Sequence, residues 1–124
     1  MLLIDQKIFR RAKKGIKICP FNFFLFISLQ EGSLSAEDVF LNKSNYLKQD
    51  YMFINSSLLI ENEFLKLIRI GVLRREVDGQ GLTSKVRITP IGRHVLENSS
   101  DLFSKKKSRI EKLITCLKYQ LLPR

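Results

Sequence analysis

The sequence predicts a mainly α-helical domain carrying one small β-hairpin, an α+β fold, and three observations lead there. Ile60, Phe64, Leu67 and Ile68 recur at i, i+4, i+7 and i+8, the spacing that lines one face of a helix. Gly71 closes that helix, and two short runs with partial alternation, Leu73–Val77 and Lys85–Thr89, then flank the turn-forming Asp78-Gly79-Gln80-Gly81. Upstream, Cys19–Gln30 is almost wholly apolar and has the length of a buried helix. A chain of 124 residues is long enough for one core without disulfide or metal staples.

Residues 1–18 read as a basic amphipathic helix. Ile4, Ile8, Ala12 and Ile16 make its apolar stripe with Phe9 alongside, and Lys7, Arg10, Arg11, Lys13 and Lys14 occupy most of the rest. Such a helix serves as a phosphate-contacting arm, as a dimerisation helix with a basic outer face, or as a packing helix with a solvated charged side. A membrane-surface role ranks below these, because the stripe is thin and the chain has no tryptophan. In the second helix Pro20 is expected in the first turn, Phe23, Phe24, Phe26, Ile27 and Leu29 leave little polar face, and Gly32 ends it. No basic residue interleaves with these aromatics between Lys17 and Lys43, so they read as core and not as a base-stacking platform.

Ser35 with Asp38 three positions on reads as a capping box, although Asp is a weaker partner there than Glu. Val39, Phe40, Tyr46 and Leu47 give the helix that follows its apolar contacts, and Asp50–Ile54 either lengthens it or turns into the next. The central helix starts at Ser56 or Ser57, whose hydroxyls can accept from an orphan backbone N–H. Gly71 suits a left-handed helix end, and Leu82–Ser84 complete a loose hairpin tip. Thr89 and Pro90 open a short helix through Ile91, Val95 and Leu96, with Pro90 at a tolerated first-turn position. After Asn98-Ser99-Ser100-Asp101, an apolar seam of Ile110, Leu113, Ile114, Leu117 and Leu121 marks a C-terminal helix ended by Pro123. Such a helix is marginal alone in water, so its seam needs its own domain or a second copy to cover it.

Leu67-Ile68-Arg69-Ile70-Gly71-Val72-Leu73-Arg74-Arg75, then a hairpin, then Ile88-Thr89-Pro90-Ile91-Gly92-Arg93, resembles the second half of a winged helix-turn-helix domain. The pattern is of the kind found in MarR-like and PadR-like transcriptional regulators. There, a recognition helix ends in a glycine turn, and a two-stranded wing and a Thr-x-x-Gly-Arg helix start follow. The resemblance implies a winged domain over residues 19–97, flanked by the N-terminal helix of 1–18 and a C-terminal helix over 98–124. It also implies a homodimer in which the C-terminal helices pair through Ile110, Leu113, Ile114, Leu117 and Leu121. Residues 33–55 are longer than the link of a simple helix-turn-helix.

The net charge of +10 is concentrated. Residues 1–20 carry six basic and one acidic side chain, 71–93 five and two, and 98–124 seven and two, whereas 21–54 are net acidic. Basic ends and a basic hairpin suit a polyanion such as nucleic acid. The apolar run Ile18–Leu29 behind Lys13, Lys14 and Lys17 has some features of a leader, but Pro20 and Asn22 interrupt it and it is too short to span a membrane. Cys19 and Cys116 lie in apolar contexts and read as buried thiols of a reducing, cytoplasmic compartment, nucleoid-associated if DNA is the partner. One histidine, His94, and no clustered ligands argue against a metal site, and no phosphate loop, nucleophile elbow or zinc-protease motif is present. Neither an enzyme nor a cofactor is expected.

In the winged-helix reading the third helix enters the major groove of double-stranded DNA and the wing lies on the backbone. Asn62, Lys66 and Arg69, with Ser57 near the start, would face the bases. Arg74, Arg75, Gln80, Lys85 and Arg87 would serve the wing, where their charges suit phosphate. Lys85 and Arg87 alternate onto one face of their strand, and Arg75 is the candidate to join them across the hairpin. Glu61 and Glu63 oppose this reading, since acids early in a recognition helix repel phosphate, and Leu58, Leu59 and Leu65 make the reading face greasy. The expectation is therefore a dimeric winged-helix DNA-binding protein, a transcriptional regulator. The alternative is a winged-helix module that docks on a protein partner through the same helix.

Overall fold

Polar caps, more than apolar content, decide where the helices begin. The computed structural model describes residues 3–99 and Leu102, and among them six helices and one antiparallel hairpin follow in order. Helix α1 spans Leu3–Ile18 and α2 spans Phe23–Glu31. Between them the chain leaves the helical path, and Phe21 pairs with Leu47 in an antiparallel bridge. Asn22 N donates to Tyr46 O at 2.9 Å, and Lys48 N donates to Pro20 O at 2.8 Å. The Asn22 side chain then caps α2, accepting from Leu25 N at 3.0 Å.

This geometry corrects two expectations. Pro20 stands in the bridged turn and not in the first turn of α2, because Asn22 is the capping residue. Phe23 and Phe24 lie on the solvent side, Phe24 being 54% exposed and stacked on Tyr46, while Leu25, Phe26 and Leu29 turn inward. A short helix packed on one side buries a single stripe, however apolar the rest of it is. Gly32 ends α2 with extended backbone.

Helix α3 (Ala36–Leu41) opens on the expected capping box. Ser35 Oγ accepts from Asp38 N at 3.1 Å, and the Asp38 carboxylate accepts from Ser35 N at 3.0 Å. The helix breaks at Asn42, a single turn α4 (Lys43–Tyr46) follows, and a 3-10 turn over Gln49–Tyr51 leads onward, so Asp50 and Tyr51 turn the chain and do not lengthen the helix. Lys43 Nζ donates to Met52 O at 3.2 Å and to Ile54 O at 2.9 Å, which fastens this loop in place.

Helix α5 (Ser57–Arg69) is capped by Ser56, whose hydroxyl accepts from Leu59 N at 3.3 Å. It ends in a Schellman motif: Gly71 N donates to Ile68 O at 3.0 Å and Val72 N to Leu67 O at 2.9 Å. Gly71 takes the left-handed backbone this requires, with φ +88°. Ile60, Phe64 and Leu67 are buried and Ile68 packs partly, as their spacing predicts.

Strands β1 (Leu73–Asp78) and β2 (Gly81–Ile88) form the hairpin. Its tip is tighter than the sequence suggested, because Gly81, at φ +122°, pairs with Asp78 and Leu82 pairs with Val77. A third extended piece joins this small sheet: Leu34 N donates to Val86 O at 3.2 Å and Val86 N to Leu34 O at 2.8 Å. Helix α6 (Pro90–Asn98) starts with Thr89 as cap and Pro90 in its first turn. Thr89 N donates to Val72 O at 2.9 Å, which pins the start of α6 to the end of the α5–β1 turn.

One core joins these elements. Ala12 and Ile16 from α1, Phe21, Phe26 from α2, Phe64 from α5, Val86 from β2 and Val95 from α6 are all fully buried, and the Phe21 and Phe64 rings meet with centroids 5.2 Å apart. In α1 the inward stripe is completed by half-buried Phe9, and Ile8 sits at the margin. The side chain of Ile4 lies outside the described residues, as do Cys116 and the seam of Ile110, Leu113, Ile114, Leu117 and Leu121.

Candidate functional site

Helix α5 packs against α3, α1 and β1, and the contacts on its two flanks show which part of it remains outward. Gly15 of α1 approaches so closely that a methyl added there would run into Ile70. Beside this contact Gly15, Ile18, Glu63, Lys66 and Tyr51 are among the residues lining a shallow groove of about 270 Å³. On the other flank the Glu61 carboxylate accepts from the Arg75 guanidinium of β1. With both flanks occupied, helical periodicity leaves Leu58, Asn62, Leu65 and Arg69 on the outward stripe, all exposed, with Leu59 and Lys66 beside it. Ser57 is half-buried in the first turn.

The register of the hairpin sorts its charges. Leu73 pairs with Ile88, Arg74 with Arg87 and Arg75 with Val86. Paired residues share a face, so Leu73, Arg75, Val86 and Ile88 point inward and Arg74 and Arg87 point outward together. Arg75 is therefore not the residue that joins Lys85 and Arg87. It is turned toward α5, held by Glu61 and donating to Ser84 O at 2.9 Å, and Arg74 takes the outer position. An irregularity between Arg75 and Val77 then resets the register, and Glu76 comes to lie 3.6 Å from Arg87 on the outer face. Lys85 is exposed on that face, and Gln80 is exposed at the tip, its N–H donating to Asp78 Oδ1 at 2.7 Å.

The two acids that opposed nucleic-acid binding are both engaged. Glu61 pairs with Arg75, and Glu63 accepts from Lys66 at 3.0 Å. The second pair is weak, since the Lys66 side chain is 68% exposed and water screens such contacts. Among the described residues Arg69, Arg74 and Lys85 make no ion pair. The surface of α5 and the outer hairpin is thus cationic along its polar positions and interrupted by leucines.

Elsewhere the chemistry is quiet. Cys19 is buried, its Sγ donates to Ile16 O at 3.0 Å, and burial pushes the thiol up from 9.0 to about 11, so it stays protonated near neutral pH. His94 is exposed and meets the Phe9 ring edge-on at 5.6 Å. Among the described residues no group of His, Cys, Asp and Glu is placed to hold a metal ion, and no helix is long and apolar enough to cross a membrane.

Over residues 2–120 the chain matches the profile of a protein family described as Npun_F0494-like. The chain belongs to the Npun_F0494-like family. Comparison with curated proteins and with solved structures finds no match. In this Npun_F0494-like chain, sequence reasoning missed the Glu61–Arg75 pair, since nothing in local spacing joins residues 14 apart on a helix and a strand. It also missed Lys43, whose two backbone acceptors lie 9 and 11 residues on, across a turn without a recognisable pattern.

Proposed function

We propose that this chain is a winged-helix DNA-binding protein that acts as a homodimer in transcription regulation, without enzymatic activity or cofactor. Support comes first from connectivity. Helix α5, the Gly71 turn, β1 and β2, and then α6 opening at Thr89-Pro90 follow in the order that the MarR-like and PadR-like resemblance implies, and Leu34 adds an isolated bridge to Val86 beside the hairpin. The observation that carries the reading is the joined cationic surface. Glu61 ties Arg75 and so fixes the hairpin beside α5, which sets the cationic positions of α5, Arg69 on its outward stripe and Lys66 toward α1, on an element adjoining the hairpin that carries the outward Arg74, Lys85 and Arg87. Arg74 stands directly opposite Arg87, and of the two only Arg87 has an acid beside it among the described residues, Glu76, so a phosphate anion would balance Arg74. Asn62 lies at the centre of the outward stripe, where it can meet adenine edges in the major groove.

Titration of labelled duplex DNA at several salt concentrations tests the reading. Replacing Arg74 and Lys85 by alanine should flatten the slope of log affinity against log salt by about 1.8, since each phosphate left without its cation removes about 0.9. Asn62→Ala should change the preference among sequences and leave the slope nearly unaltered. A parent protein with no salt-sensitive affinity for duplex DNA would sink the proposal. Light scattering tests the dimer, which Leu113→Asp with Leu117→Asp should dissociate.

One observation favours a second reading, a protein-docking module. Leu58, Leu59 and Leu65 are 67%, 41% and 44% exposed on the same helix, an unusual load of apolar surface for a base-reading face. Replacing Leu58 and Leu65 by serine separates the two, because it spares affinity for DNA and abolishes partner capture only in the docking case.

A further inference from the structure

We infer that the outer ridge of α1 is a second line of contact to the sugar-phosphate backbone of duplex DNA, an inference that rests on the DNA-binding reading above. Lys7, Arg10, Lys14 and Lys17 recur at i, i+3, i+7 and i+10 on the side of α1 opposite buried Ala12 and Ile16, and all four are exposed. Arg11 stands exposed beside them. At a rise of 1.5 Å per residue the ridge runs about 15 Å. Asp5 is the only acid in the helix and precedes the ridge, so the helix offers these cations almost no compensation. Like charges three and four positions apart repel by a few tenths of a kcal/mol per pair, a cost that a helix needed only for packing would avoid by mixing signs.

The position of α1 gives the ridge its occupant. It packs on the flank of α5 that carries Glu63, Lys66 and Ile70, whereas the hairpin occupies the flank that carries Glu61. The cations of α1 and those of the hairpin therefore lie on either side of α5. A helix seated in a major groove about 12 Å wide has a phosphodiester strand at each rim. Helices in contact sit about 8–10 Å apart, so α1 reaches one rim when the hairpin reaches the other. An acidic bilayer fits less well: Ala12 and Ile16 are committed to the core, and exposed Ile18 at the end of the helix, with Ile8 at its margin, is too little apolar surface to insert among lipids.

The test uses the full chain and a labelled random-sequence DNA duplex, with binding followed by fluorescence anisotropy as salt is raised. The variant carries Lys7→Gln, Arg10→Gln, Lys14→Gln and Lys17→Gln together. If all four residues touch phosphate, the slope of log affinity against log salt flattens by about 3.6, and a fourfold rise in salt shrinks the parent-to-variant affinity ratio roughly 150-fold. Lys7→Gln with Lys14→Gln alone should flatten it by about 1.8, which keeps the test valid if the fourfold variant fails to fold. A parent that binds with a steep slope and a variant that keeps that slope overturn the ridge and leave the DNA-binding reading standing. A parent that does not bind duplex overturns both. Ridge-dependent sedimentation with phosphatidylserine vesicles, with the duplex slope unchanged, assigns the ridge to lipid and overturns the inference.

Discussion

Gly92 tests whether packing or helix propensity rules the start of α6. In propensity alone Gly92→Ala should stabilise, by at most about 1 kcal/mol at an interior helical position and less in a first turn. Packing argues the other way. A Cβ built on Gly92 would stand 2.7 Å from Val72 O, 2.8 Å from Ile88 Cγ1 and 3.2 Å from Val72 Cγ1. The first obstacle is a backbone carbonyl that already accepts from Thr89 N at 2.9 Å, so it has little room to retreat. Overpacking of this kind costs about 1–3 kcal/mol. The net expectation is a loss of about 1–2 kcal/mol, which for a domain of this size lowers the melting temperature by roughly 3–10 °C. Gly32→Ala is the control: nothing lies within 4 Å of its Cβ position and its backbone is extended at φ −164°. That change should be neutral or stabilising by about 0.4–1 kcal/mol, through the unfolded chain. Thermal melts of the two variants beside the parent decide the matter. A Gly92→Ala protein that melts at or above the parent temperature would refute the claim that α6 is seated by contact with Val72.

Two further outcomes follow from burial. Phe64→Ala should cost about 3–5 kcal/mol in denaturant melts, since its ring is fully buried against Phe21, whereas Phe24→Ala, at a half-exposed site, should cost far less; equal losses would contradict the assignment of the α2 faces. Cys19 makes stability depend on alkaline pH: its folded pKa of about 11 lies above its ordinary 9.0, so the contribution is complete below about pH 9 and is lost as pH rises toward 11. Melts of the parent should therefore fall more steeply across that window than those of Cys19→Ala, by up to about 3 kcal/mol, and parallel curves would show that the thiol is not desolvated.

The sequence by itself determined what nearby residues settle among themselves. Ser35 with Asp38, Ser56, Thr89 with Pro90, and the Gly71 stop all lie within a few positions of the backbone groups they satisfy, so their roles were legible as spacing. The buried face of α5 was legible for the same reason, because one helical period repeats Ile60, Phe64 and Leu67 onto one side. Most of the candidate site residues were likewise found as exposed polar positions on elements whose existence was secure. The tertiary structure alone decided which way each of them faces. Arg74 and Arg75 are neighbours of the same chemistry, and only the pairing of Leu73 with Ile88 and of Leu34 with Val86 turns Arg75 toward Glu61 and Arg74 to the outer face. The pairing of Phe21 with Leu47 moved Pro20 out of α2 in the same way, and one-sided packing left Phe23 and Phe24 at the surface. In each case the deciding partner is distant in the chain. A strand's two faces are equivalent until something covers one of them, so the outward charges of the hairpin were settled only when α2 and α5 closed over the other side.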